Sequence, residues 1–178
     1  MIGLNAFFWM FVLLFALIGA MRGWAKELLV TFAAILALFI LNVTETYVPF
    51  VSQALKANAE MLFGLRVVML CGMVFFGYQS PNLQRLAQSN RFAREKLQDY
   101  LLGFVLGAIN GYLFVGSFWW FMAEANYPIK FITAPDPNSE IGMASIELLK
   151  RMPPTWLTAP TIYFAIALAF AFVIVVFI

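Results

Sequence analysis

From Leu101 to Met122 the chain reads LLGFVLGAINGYLFVGSFWWFM, without one charged side chain. A bilayer core is crossed by about 20 mostly apolar residues on a helix, so this run is long enough to span. Gly103, Gly107 and Gly111 recur at every fourth position. On a helix that spacing clears one stripe of side chains and lets a second backbone come close. Apolar burial alone gives helices in lipid no drive to associate, so such small-residue stripes are where they pack. Asn110 lies beside the stripe and has the amide to hydrogen-bond a neighbouring helix. The stripe predicts a helix-packing interface over Gly103, Gly107, Asn110 and Gly111, facing either another helix of this chain or a helix of another protein.

The rest of the composition agrees with a membrane interior. Of 178 residues, 63% are hydrophobic and 11% charged, with a mean hydropathy of +0.88, whereas soluble domains carry about a quarter charged residues. Long unbroken apolar runs argue against a transmembrane barrel, whose strands alternate over about ten residues. The expected fold is all-α: one polytopic helical bundle over 1–178, with about five transmembrane helices and short interfacial helices. A net charge of +2, scattered along the chain, gives no nucleic-acid surface. Cys71 is the single cysteine and lies in an apolar run, the setting of an inert thiol. Histidine is absent, which removes the commonest metal ligand and the usual near-neutral proton switch. No cofactor and no metal are expected. No nucleophile–base pair, no paired carboxylates at membrane depth and no phosphate loop stand out, so the chain reads as a non-enzyme. A transporter needs polar groups converging at mid-membrane, where the sequence offers mainly Asn110 and Ser117.

In chain order the spans are expected near 3–21, 28–44, 61–79, 101–122 and 159–178. No basic segment precedes the first run and Arg22 follows it, unlike a cleaved signal peptide. It reads as an uncleaved helix with its N-terminus outside. Arg22, Gly23, Trp24, Ala25, Lys26 and Glu27 read as a tight cytoplasmic turn with local pairing to Glu27. Arg66 sits about two turns inside the third span, a costly position unless it snorkels or pairs. Snorkelling is the default expectation; pairing with Glu45 or Glu60, or contact with a partner subunit, is the alternative. Ser80–Asp99 reads as a surface helix, with Leu83, Leu86, Ala93 and Leu97 on one face. It offers anionic lipid or a soluble partner Arg85, Arg91, Arg94 and Lys96, with Arg91 placed to pair with Glu95.

The connection 123–158 carries Pro128, Pro135 and Pro137, then a short helix capped by Asn138 or Ser139. Glu140 in its first turn and Lys150 and Arg151 in its last suit the helix dipole. Ile141, Ala144, Leu148, Leu149 and Met152 form its expected apolar face, resting on the outer surface. The uncharged end Val175–Ile178 calls for a covering partner or a chain that continues. Arg22, Lys26, Arg85, Arg91, Arg94 and Lys96 on one side outnumber Lys56, Lys130, Lys150 and Arg151 on the other. The positive-inside bias therefore predicts N-outside, C-inside in a bacterial inner membrane.

The pattern Arg22-Gly23-Trp24-x-Lys26-Glu27 after a first apolar helix resembles the basic-Gly-aromatic-x-basic-Glu motif of the colicin V production protein (CvpA) family. Asp99-x-x-Leu102-Gly103-x-x-x-Gly107-x-x-x-Gly111 resembles that family's fourth helix. The likeness covers about the first two thirds of the chain. It implies an inner-membrane protein of around four spans, tied to colicin V-type toxin production or to envelope function through protein–protein contacts. Asn5, Tyr100 and Asn110 stand where the family tends to carry charges, and the outer loop and fifth span look like additions. The alternative is a non-catalytic accessory subunit stabilising a bacterial electron-transport or photosynthetic complex, its many Phe and Trp packing on lipid, pigment or neighbours. Either way the expected partners are membrane lipids and other membrane-protein subunits.

Overall fold

The computed structural model describes residues 3–49, 58–79 and 93–177. Helix α1 runs Leu4–Arg22 and α2 Trp24–Tyr47. Helix α3 runs Ala59–Tyr78 and α4 Ala93–Glu124. Two short helices follow, α5 (Glu140–Leu149) and α6 (Pro153–Trp156), and then α7 (Thr161–Phe177). The described chain is a helical membrane bundle in which α1 to α4 are each long and apolar enough to cross a bilayer.

Among the described residues four helices meet that length where about five were expected; the last apolar run, α7, starts at Thr161, after Pro160. The α1–α2 turn is also shorter than expected. It is one residue, Gly23 at φ +85°, with Trp24 to Glu27 already helical. An L side chain rarely takes that backbone angle, and glycine takes it freely. Of the expected Ser80–Asp99 surface helix, 80–92 lies outside the described residues, and so do Arg85, Arg91 and the Arg91–Glu95 pair. Its last residues, Ala93–Asp99, continue without a break into α4.

Helices α1 and α4 run antiparallel in close contact. Helix α2 packs between α3 and α4, with α7 along its other side. One core joins Val30, Ala34, Ala37, Leu38 and Leu41 of α2 to Leu70 and Val74 of α3, Leu113 and Phe121 of α4, and Ile162 of α7. A second gathers Phe8, Val12, Trp119, Met122 and Met152 where α1, α4 and the α5–α6 segment meet. Small residues repeated along α2 let its neighbours approach, which in lipid is what makes packing favourable.

Ser139 caps α5 by accepting from the Gly142 amide at 3.0 Å. The inward face of α5 is the expected one at its end, where Leu148, Leu149 and Met152 pack on the core, and differs at its start. Gly142 and Ser145 are buried while Ile141 is exposed. The end of the segment reaches in among the long helices. Met152 is fully buried and lies against Gly116 of α4. Leu148, Leu149 and Met152, not the apolar residues at the start of α5, reach the core.

Candidate functional site

The glycine stripe of α4 is occupied by α1. A Cβ added to Gly19 would stand 2.7 Å from Gly107 Cα and also strike the Gly103 carbonyl. One on Gly111 would stand 3.0 Å from Val12 Cα. Gly103, Gly107 and Gly111 thus hold two backbones together within the chain, and the sequence expectation is resolved toward an internal partner. Gly19 completes the seam from α1. It lies outside a reading of α4 alone, although Gly23 follows it at the same fourfold spacing.

Beside the seam lies a buried polar cluster. Glu27 is completely buried. Its Oε1 accepts from Arg22 Nη1 at 2.6 Å, and its Oε2 accepts from Asn110 Nδ2 at 2.8 Å. Asn110 Nδ2 also donates to the Glu27 carbonyl at 2.9 Å, and Asn110 Oδ1 accepts from the Thr31 hydroxyl at 2.7 Å. The amide of Asn110 has both donors and its acceptor engaged, which is what full burial demands. Arg22 Nη2 donates to the Tyr78 carbonyl at 3.1 Å, and the guanidinium stacks 4.3 Å from the centre of that ring. At the turn itself, Gly23 has no side chain to cap α2. Asp99 of α4 does it instead, its Oδ1 accepting from the Trp24 amide at 3.0 Å. A carboxylate there also suits the positive end of the α2 dipole. Arg22, Gly23, Glu27, Asp99 and Asn110 are therefore one structure joining α1, α2, α3 and α4. Lys26 belongs to the turn motif only in sequence; the cluster is built without it.

Arg66 does not snorkel. Its Nε and Nη2 each donate to a Glu45 oxygen at 2.7 Å, and Nη1 pairs with Glu124. Trp120 and Phe121 rings lie 5.6 and 5.3 Å from its Cζ. A fork donating twice to one carboxylate is the strong form of this bond. Glu45 is the pairing the sequence allowed; Glu124 it did not single out, because fifty-eight residues separate it from Arg66. Glu124 is 47% exposed against 17% for Glu45. Glu124→Gln is therefore expected to change stability by less than about 1 kcal/mol, with Glu45→Gln costing clearly more in a denaturant titration in micelles. Equal losses would contradict this ranking.

Between these two clusters, Ser117 Oγ and Asn42 Oδ1 are buried without a protein partner. On the connection, Lys150 donates to Glu147 at 2.5 Å. Among the described residues no three His, Cys, Asp or Glu side chains group as metal ligands.

Comparison with protein-family models, curated proteins and solved structures found no match to this chain. The Arg22–Glu27 and Asp99–Gly111 segments meet in space through Trp24–Asp99 and Glu27–Asn110.

Proposed function

We propose that this chain is a non-catalytic membrane scaffold that works by holding another membrane protein against α3, in a CvpA-like role in toxin production or envelope function. The observation that supports this is the outward face of α3. Added Cβ atoms at Gly64 and Gly72 would meet nothing within 4 Å, in contrast to the filled seam on α4. Met61, Val68, Phe75 and Phe76 flank them, all exposed. At 100° per residue these six positions share one side of the helix, opposite Arg66, Leu70 and Val74, which face the bundle. A groove of glycine between large apolar side chains fits a second helix. The buried charges, meanwhile, are committed to one another, at Arg22–Glu27 and at Arg66–Glu45.

The proposed setting is a bacterial inner membrane with the Arg22 end cytoplasmic, by the positive-inside bias. The test is extraction in mild detergent, native-gel separation and mass spectrometry of the band. The wild-type chain should migrate with a partner, and Gly64→Leu with Gly72→Leu should release it without lowering the stability of the chain itself. Migration as a lone monomer would count against the scaffold reading. Fixed-stoichiometry partners that carry redox groups or pigments would favour the accessory-subunit form of it.

A further inference from the structure

The connection between α4 and α7 dips into the bundle. Helix α4 carries no charge between Asp99 and Glu124, and Tyr112 lies near the middle of that stretch, about 18 Å from Glu124 by the helical rise. The Tyr112 hydroxyl donates to the Arg151 carbonyl and accepts from Trp156 Nε1 at 3.3 Å. One turn further along α4, a Cβ on Gly116 would meet Met152 Sδ at 2.8 Å and Pro153 Cδ at 2.9 Å. On the α1 side, Gly3 lies against Ile141 at the start of α5. The chain thus descends along α1 and α4 through α5, turns at Lys150–Pro153, and stays beside Tyr112 as far as Trp156 of α6.

The backbone of this turn is served as a membrane interior requires. The Lys150 carbonyl has the Thr155 hydroxyl at 3.0 Å, the Arg151 carbonyl has Tyr112, and the Met152 carbonyl accepts from the Thr155 amide at 2.9 Å. Irregular backbone at this depth survives only when buried in protein or lining water. The side chains at the turn are another matter. Lys150 and Glu147 are 64% and 65% exposed, and Arg151 is exposed too. Glu147 pairs with Lys150 and also feels the Arg151 charge, so one carboxylate faces two cations and the turn keeps a surplus positive charge. Charged groups facing hydrocarbon are strongly disfavoured. A bilayer relieves such charges by thinning locally and admitting water.

We propose that the leaflet on the Glu124 side is drawn inward along the α5 face, so that water and lipid phosphate groups reach Lys150 and Arg151 beside the middle of α4. The bound partner is the phosphate of a lipid headgroup, whose charge complements the surplus of Lys150 and Arg151 over Glu147.

The full chain carrying Cys71→Ala tests this, with a single added cysteine by Glu147→Cys or Arg151→Cys. Leu13→Cys on α1 is the control: its neighbour Val12 lies opposite Gly111, and Leu13 is 55% exposed on the lipid side. In vesicles of phosphatidylethanolamine and phosphatidylglycerol, permeabilised so that both faces are reached, a charged maleimide should label the α5 positions about tenfold faster than the α1 control, as water access at matched depth requires. Slow labelling at both α5 positions would overturn the proposal, since hydrocarbon or protein would then cover the turn. Fast labelling at Leu13→Cys as well would also overturn it, because that level would then lie outside the hydrocarbon altogether. Glu147→Cys alters only an exposed pair, so it remains decisive if Arg151→Cys fails to fold.

Discussion

Arg22→Ala is expected to destabilise the fold by about 3–5 kcal/mol, the loss typical of a buried ion pair stripped of one member. The reason lies in what remains. Glu27 is fully buried, and without Arg22 its charge is left with the Asn110 amide alone. The stacking of the guanidinium on Tyr78 and its bond to the Tyr78 carbonyl go as well. Adding Glu27→Gln to Arg22→Ala should recover a large part of the loss, since the uncompensated charge is then gone although the pair is not restored. Reversible unfolding of purified protein, followed by titrating a denaturing detergent into a mild one, measures both variants and their coupling. A loss under about 1 kcal/mol for Arg22→Ala would mean that solvent screens the pair as it screens surface pairs. The cluster would then be an ornament of the turn and not its clamp.

The second large effect is expected in the α1–α4 seam. Gly107→Ala should cost about 1–3 kcal/mol, the usual range for overfilling a packed interior. Gly107→Leu should prevent the seam from closing. A Cβ at Gly107 meets Gly19 Cα at 3.0 Å, Ala16 Cα at 3.1 Å and the Phe15 carbonyl. All of these are backbone atoms, so no rotamer change relieves the clash and the helices must part. Parting them moves Asn110 away from Glu27 too, so the polar cluster and the seam should fail together. Gly72→Leu is the matched control: it adds the same side chain to a site with nothing within 4 Å, and the folded chain should tolerate it. If Gly107→Leu unfolded no earlier than Gly72→Leu, the close approach of α1 and α4 would be wrong.

Much of this was legible in the residues. Unbroken apolar runs locate four long helices, because hydropathy over some twenty residues is a strong constraint in lipid. Fourfold glycine spacing marks the face of α4 that packs, and Asn110 beside it marks where a hydrogen bond must cross. Which helix fills the stripe was not legible, since periodicity describes one surface and not its complement. Glu27 looked like part of an interfacial turn because Arg22 and Lys26 surround it in sequence. Starting α2 directly after Gly23 rotates it inward, and that depends on a single dihedral angle. Arg66 looked like a snorkelling residue because its second carboxylate, Glu124, is remote in the chain. The α5–α6 segment was the largest miss. Its prolines and charges read as a surface loop, and only the contacts of Met152 and Tyr112 place it deep.

The α1–α4 seam also dictates an order of events during synthesis. The helices joined most closely are not the neighbours in sequence: Gly19 meets Gly103, while α2 follows α1 after a single residue. At about 5–20 residues per second, α4 leaves the ribosome several seconds after α1. Throughout that interval α1 stands in the bilayer with its glycine face open, and Glu27 lacks Asn110. The nascent chain therefore has a defined window of vulnerability, in which an insertase or a membrane protease can engage α1 and which the arrival of Gly103 brings to a close.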